Sequence, residues 1–307
     1  MRFELTILGS NAALPTSDSI SSSQILRVNN RNYLIDCSEG TQKRLRENKI
    51  SIASIDHIFI SHLHGDHYYG IFGLISTFNL LGRRRKLTVF SHPVLKKQIE
   101  LLFQNTTLTF DLEFINLNYS QETLLLEKKG LIVKSFPLKH RIETCGFLFY
   151  EKERKLNIRK NVVAKYELSV PDILKIKNGE DHKTAAGKLI KNELLTLKPY
   201  IPRSYAYCSD TAYHEAICDT VQNVNILYHE ATFADEDQVL ADKTLHSTAS
   251  DAATIAKKSN AKQLIIGHFS ERYKDKNKIL GDAKKIFPNT ISAKDHMKII
   301  IPLEREP

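Results

Sequence analysis

No apolar run in the chain reaches the roughly 20 residues that a helix needs to span a bilayer, so the sequence does not read as a helical membrane protein. Its opening, Met1-Arg2-Phe3-Glu4-Leu5-Thr6, puts an acid where a signal peptide would carry its apolar stretch, and a cytoplasmic location is expected. The four cysteines, Cys37, Cys145, Cys208 and Cys218, are scattered and form no C-x-x-C pair. That argues against a zinc ribbon and against a disulfide framework, and leaves reduced, mostly buried thiols. Short-period repeats and low-complexity tracts are also missing. What is present is an ordinary globular composition of 307 residues, 42% apolar and 26% charged, able to bury a sizeable core.

The formal charge is +9 and the pI near 9.2. A basic balance attracts polyanions only where it is concentrated. Residues 151–200 hold 12 Lys or Arg against 7 Asp or Glu, more than half of the net surplus in about a sixth of the chain. The same stretch has little periodicity and carries the turn signals Asn178-Gly179 and Ala186-Gly187, so it reads as an inserted basic arm. On either side, strand-like segments such as Phe3 to Leu8, Tyr33 to Cys37, Ser204 to Cys208 and Gln263 to Gly267 alternate with helical ones such as Gly70 to Leu81 and Ala249 to Lys258. Stacked sheets covered by helices are expected, in a single domain made of two sheet-rich halves. Arg83-Arg84-Arg85-Lys86 reads as a cationic run that suits a helix end and stays solvated.

Chemistry concentrates in His62-Leu63-His64-Gly65-Asp66-His67, where three imidazoles and a carboxylate fall within six positions. Ile58-Phe59-Ile60-Ser61 before it reads as a buried strand, and in extended chain alternate residues share a face, so the cluster is expected at a strand's end. Nitrogen and oxygen donors of this kind suit zinc, manganese or iron, and four so close together suit two adjacent ions better than one. Further ligands should also follow strands. His140, Asp210 and His268 do.

With these motifs go Leu8-Gly9-Ser10, Asp36-Cys37-Ser38-Glu39-Gly40-Thr41-Gln42, Ser209-Asp210-Thr211, His229-Glu230-Ala231-Thr232, His246-Ser247-Thr248 and His268-Phe269-Ser270-Glu271-Arg272-Tyr273. Together they resemble the metallo-β-lactamase superfamily and, within it, the ribonuclease Z family. The resemblance spans nearly the whole chain, and the last four motifs with the arm carry its specificity.

It implies an α/β fold, the four-layer αββα sandwich, forming one domain over 1–307 with a flexible tRNA-binding arm at 151–200. Two Zn2+ per subunit are implied, with Mn2+ or another divalent ion as a substitute. His62, His64 and His140 would hold one, Asp66, His67 and His268 the other, and Asp210 would bridge. Asp66 serves either as a ligand only or also as acceptor of the attacking water's proton. His246, supported by Glu230, would protonate the leaving oxygen, unless it caps the helix that starts near Ser247. Arg272, with Ser270, would grip a backbone phosphate, and His229 would be structural. The implied activity is removal of the 3′ trailer of precursor tRNA by a cytoplasmic homodimer. The alternative is a phosphodiesterase or sulfatase of the same fold acting on a small substrate. The arm departs from the family pattern at Leu168-Ser169-Val170-Pro171-Asp172, where a Gly-Pro-rich core is reduced, and keeps Asn178-Gly179-Glu180-Asp181.

Overall fold

The computed structural model describes residues 2–305. They divide into two units: 2–150 with 204–301, and 151–203 with 302–305. The strands in chain order are β1 (Phe3–Gly9), β2 (Ser23–Val28), β3 (Arg31–Cys37), β4 (Ile55–Phe59), β5 (Leu87–Ser91), β6 (Leu112–Asn116), β7 (Thr123–Lys128), β8 (Leu131–Pro137), β9 (Cys145–Glu151), β10 (Asn157–Ile158), β11 (His182–Lys183), β12 (Leu189–Ile190), β13 (Thr196–Leu197), β14 (Ser204–Cys208), β15 (Ile226–Glu230), β16 (Gln263–Gly267), β17 (Thr290–Ser292) and β18 (Lys298–Ile300). The helices are α1 (Thr41–Glu47), α2 (Gly65–Tyr68), α3 (Gly70–Leu80), α4 (Pro93–Leu102), α5 (Lys160–Lys165), α6 (Val170–Lys177), α7 (Asn192–Leu195), α8 (Gln238–Thr244), α9 (Ala249–Lys258) and α10 (Asn277–Ile286).

The larger unit is a sandwich of two seven-stranded sheets, ordered β18-β1-β2-β3-β4-β5-β6 and β17-β16-β15-β14-β9-β8-β7. Strand alternation sorts the side chains: Tyr33 and Ile35 of β3 enter the space between the sheets while Leu34 faces the helices. Aromatic rings fill the centre. Phe59 stacks on Phe90 at 4.6 Å and meets Phe147 and Phe149 edge-on at 5.4 and 5.3 Å. On the outer face of the first sheet, Leu45 of α1, Leu74 and Phe78 of α3 and Leu95 and Ile99 of α4 form a second core. On the outer face of the second sheet, the alanine-rich side of α9 and Ile279 and Ala283 of α10 form a third. Helix, sheet, sheet, helix is the four-layer α/β sandwich that the resemblance implies.

Within these sheets β3 to β6 run parallel, as do β14 to β17. Loops beyond the carboxyl ends of such strands are where an open α/β sheet can build a site.

The cationic run after α3 is solvated at Arg84, Arg85 and Lys86 but not at its first member. Arg83 is buried, lies over the Phe78 ring at 4.7 Å, and donates to Asp56 Oδ1 at 3.0 Å and to the carbonyls of Arg85 and Lys86 at 2.6 and 2.9 Å. The guanidinium folds the turn around itself.

The smaller unit has a small core of its own, made of Val162, Leu168, Ile176, Ile190 and Leu195. It holds the ladders β10–β13 and β11–β12 with α5, α6 and α7. Helices of 6, 8 and 4 residues are too short to show periodicity in sequence. Ser169-Val170-Pro171-Asp172 is the start of α6: Ser169 and Asp172 form a reciprocal capping box, and proline occupies the first turn, where its missing N–H is harmless. The described residues include no helix long and apolar enough to cross a membrane.

Candidate metal centre and active site

From the end of β4 the chain stays extended to His64 (φ −78°, ψ 138°), after which Gly65 opens the single turn of α2. His62 and His64 therefore share a face, as an extended strand end requires, whereas Asp66 and His67 are placed by helical geometry. The turn is held close to β3 because Gly70 follows it. A Cβ there would lie 2.0 Å from the Ser38 carbonyl oxygen.

Three other strands aim their ends at this turn. His140 follows β8, Asp210 follows β14 and His268 follows β16. Two separate donor groups result, His62, His64, His140 and Asp210, and Asp66, His67 and His268, with a third, Asp210, His246 and His268, overlapping both. Asp210 stands between them. Its Oδ2 lies 3.5 Å from His62 Nε2 and 3.7 Å from His140 Nε2, and its Oδ1 lies 3.2 Å from Nε2 of both His67 and His268. Asp66 Oδ2 is 3.5 and 3.6 Å from the latter two nitrogens.

The partners behind each ring decide which nitrogen carries the proton. Nδ1 of His67 faces Asp36 Oδ2 at 2.7 Å, and Nδ1 of His140 faces the Leu245 carbonyl at 2.8 Å. Both oxygens only accept, so both Nδ1 atoms donate. Thr232 Oγ1 gives its own proton to Glu230 Oε2 at 2.6 Å and so accepts from His268 Nδ1 at 2.8 Å. Ser61 Oγ, donating to Asp36 Oδ2 at 2.9 Å, likewise accepts from His62 Nδ1 at 3.0 Å. Every one of these rings is left with an Nε2 lone pair pointing inward. His64 turns Nδ1 inward instead, 3.1 Å from His62 Nε2 and 3.2 Å from His140 Nε2.

Three lone pairs at that spacing repel one another unless a cation lies among them. Nε2 of both His67 and His268 is buried and makes no aligned hydrogen bond. Burial pushes His62 below its ordinary pKa, and His64 and His140 to about 4, so these imidazoles are neutral ligands at pH 7. At His67, burial is outweighed by Asp210, Asp66 and Asp36, and its pKa rises well above the usual value. A site that draws a proton so strongly has room for a metal cation's charge. The nitrogen and oxygen donors fit a divalent ion without strain on any ligand type.

Beside this centre, His246 Nδ1 is 2.7 Å from Glu230 Oε1. Glu230 is fully buried and accepts from the backbone N–H of Thr211 (2.9 Å) and of Thr232 (3.0 Å). Burial opposes the charged imidazole, but Glu230 more than compensates and lifts His246 to about 9. His246 is not a helix cap: Thr248 caps α9 in a capping box with Asp251. His64, Asp66, Asp210, His246, His268 and Ser270 line one cavity of about 420 Å³.

Arg272 and Ser270 divide. Ser270 lines the cavity, its N–H donating to the Thr232 carbonyl at 3.2 Å. Arg272 is not among the lining residues; its guanidinium lies over Phe233 at 5.7 Å and 3.6 Å from Asp237 Oδ1. His229 is fully buried, with Nδ1 at 2.7 Å from the Glu230 carbonyl.

Four residues that hold the rings in place have no role assigned from sequence: Asp36, Ser61, Thr232 and Leu245. Asp36 alone had a signal, a single acid at the end of the apolar strand Tyr33-Leu34-Ile35. It is buried and also accepts from Tyr207 Oη at 2.7 Å and from the Ser61 N–H at 2.8 Å. Leu245 acts through its carbonyl, which no side-chain pattern reports. Backbone strain surrounds the site: Ala13, Asp36, Leu245 and His268 have φ of 53°, 52°, 56° and 59°.

Comparison with known proteins gives the centre its context. The family model described as Anti-Pycsar protein Apyc1 matches residues 3–152. Ribonuclease Z of Phocaeicola vulgatus is 42% identical over 302 residues, covering 98% of both chains. Ribonuclease Z of Bacteroides thetaiotaomicron is 43% identical over 302 residues, 98% of this chain and 96% of that one. Among solved structures, the short form of human tRNase Z superposes with a TM-score of 0.71 at 26% identity, over 97% of this chain and 99% of its own. A metallo-β-lactamase fold protein of Bacillus subtilis reaches the same TM-score of 0.71 at 16% identity, over 98% of this chain and 100% of its own, which bears on the fold alone. The chain belongs to the ribonuclease Z family, as a hydrolytic endoribonuclease on the metallo-β-lactamase fold.

Proposed function

We propose that the chain is a zinc-dependent endoribonuclease that removes the 3′ trailer of precursor tRNA by cutting after the discriminator base, leaving a 3′-hydroxyl on the tRNA and a 5′-phosphate on the trailer. The observation that carries the reading is Asp210, whose two oxygens face two separate donor groups on the cavity that His246, backed by Glu230, also lines. His62, His64 and His140 would hold one ion, Asp66, His67 and His268 the other, and Asp210 would contribute to both. When bound, such a pair lowers the pKa of water and offsets charge on the phosphoryl oxygens.

The remaining steps fall to side chains. Asp66, oriented by the Ala13 N–H at 2.9 Å from its Oδ2, takes the attacking water's proton. As the water oxygen bonds to phosphorus, the bond from phosphorus to the 3′ oxygen breaks. His246 gives that oxygen a proton; Glu230 at Nδ1 fixes the tautomer and keeps the ring charged until then. The basic unit of 151–203 binds the tRNA body through its phosphates, recognising folded shape rather than sequence. The same reading includes a cytoplasmic homodimer.

Incubation of the metal-loaded protein with a precursor tRNA, with both product ends mapped, tests this directly. One cut after the discriminator with the stated ends is expected. A cut elsewhere, or none, overturns the assignment.

A further inference from the structure

The catalytic cavity is lined by three carboxylates, Asp66, Asp210 and Glu271, and, among the described residues, by a single Lys or Arg: Arg141. Other cations near the cavity are committed elsewhere. Arg272 lies over Phe233 beside Asp237, and Lys276 donates to Asn11 Oδ1 at 2.9 Å over the ring of Phe269. Arg141, by contrast, is exposed and makes no hydrogen bond or ion pair within the described chain.

Its backbone is fixed even though its side chain is free. The Lys139 N–H donates to Thr211 Oγ1 at 3.1 Å and the Lys139 carbonyl accepts from the Ala212 N–H at 2.8 Å. His140 is tied to the Leu245 carbonyl, and the loop closes where the Leu138 N–H donates to the Thr144 carbonyl at 3.0 Å. A guanidinium is thus presented at the rim by a pinned loop, one residue from a ring of the metal centre.

It also stands close enough for its charge to act on the His246 imidazole. Arg141 and His246 both face this cavity, so an entering phosphate is drawn to both, whereas the carboxylates Asp66, Asp210 and Glu271 repel it unless a cation offsets them. The scissile phosphate is met by the metal centre, so a rim guanidinium serves a neighbouring one. An unpaired guanidinium also offers its planar, bidentate donor set without first giving up a partner.

We infer that Arg141 binds the backbone phosphate next to the scissile one and so positions the RNA strand for cleavage. This rests on the endoribonuclease reading above. Arg272, over Phe233 and 3.6 Å from Asp237 Oδ1, already has partners that Arg141 lacks.

The test compares wild type, Arg141→Ala, Arg141→Lys and Arg84→Ala, the last removing an equal charge from an exposed position outside the cavity. Each metal-loaded protein is assayed on a precursor tRNA over a series of salt concentrations and on bis(p-nitrophenyl) phosphate, which has no neighbouring phosphate. For Arg141→Ala, kcat/KM on the tRNA should fall by about tenfold or more and its log–log salt slope should become shallower by about one. Hydrolysis of the small diester, metal content and melting temperature should stay at wild-type values. Arg141→Lys should restore the slope and only part of the rate, and Arg84→Ala should match wild type in all of these. If Arg141→Ala equals Arg84→Ala on a tRNA that wild type cleaves, the inference falls and the endoribonuclease reading stands. A loss of metal, of thermal stability or of small-diester turnover in Arg141→Ala also sinks it, in favour of a structural role. Wild type that cuts no precursor tRNA removes both.

Discussion

In the sandwich unit the decisive polar groups are buried: Asp36, His62, His67, Glu230 and Asp210 are almost fully enclosed, and each is fixed by at least one partner at hydrogen-bond or ion-pair distance. The 151–203 unit is built differently. Its core is a handful of aliphatic side chains, its enclosed polar groups are few (Glu151 paired with Arg203, His182 and Thr196), and Arg159, Lys160, Lys165, Lys175 and Lys183 stand in solvent. Buried charge demands partners and so specifies geometry to tenths of an ångström. Solvated charge specifies only sign and rough position, which is enough for a phosphate backbone. One unit has the geometry for chemistry at a point; the other carries solvated charge spread over an area.

The largest expected effect is at the point where the two donor groups meet. Asp210→Ala removes an oxygen from each, and kcat/KM on precursor tRNA should fall by about 10³-fold or more, at least ~4 kcal/mol of barrier. Elemental analysis should show metal lost from both groups. A variant that keeps two ions and full activity would erase the shared role of Asp210. Next comes His246→Ala, which should lower kcat by about 10²–10⁴-fold, the range of a general acid, with metal content unchanged. Full turnover would leave Glu230 without a catalytic reason for its burial.

Deleting Lys152 to Lys198 probes the other side of the contrast. Tyr150 and Ser204 are paired neighbours in the second sheet, so the cut ends can be rejoined by a short turn. Cleavage of tRNA should drop by roughly 10²-fold or more, since several phosphate contacts are lost together, while a small phosphodiester is hydrolysed as before. Intact tRNA processing would mean that the basic surface is only a solvated one.

The same contrast explains what the chain alone could tell. Strand alternation and the imidazole cluster are local patterns, so the α/β sandwich and the spacing of His62, His64 and His67 could be read from residues a few positions apart. Asp36 and Thr232 touch the centre from segments more than twenty residues away from the rings they hold, and Leu245 contributes only a carbonyl; apart from the lone acid of Asp36 at the end of an apolar strand, nothing in their neighbourhoods announces them. Arg83 shows the opposite failure: a conspicuous cationic run whose first member is buried on Phe78. In the arm, helices of a turn or two give no period to detect, and the capping box of Ser169 and Asp172 is the one short-range signal that a close reading could have used.

A pH measurement sharpens the buried side. In metal-free protein, His246 titrates at about 9 instead of near 6.5, because Glu230 outweighs the opposing effect of burial. Its folded-state pKa is raised, so the stabilisation is fully present below about pH 6.5 and is lost as pH rises through about 9. Relative to His246→Asn, the stability advantage should shrink by on the order of 3 kcal/mol across that window, as a raised pKa of this size requires. A difference independent of pH would mean that the pair is neutral when folded.

The smallest effect should come from Thr232→Val, which keeps volume and removes only the hydroxyl. That hydroxyl donates to Glu230 and accepts from His268, so it joins the Glu230–His246 pair to the candidate metal centre. Without it, His268 Nδ1 loses its acceptor and the ring can turn or change tautomer, exposing an N–H where a lone pair is needed. Metal affinity should fall about 10–100-fold, the range for partners behind a ligating histidine, while melting of the metal-free protein changes little. Isothermal titration with Zn2+ measures the first quantity and calorimetry the second. Equal affinity in Thr232→Val would show that the strained backbone of His268, at φ 59°, fixes the ring by itself, and that the buried network around the centre holds more constraints than it needs.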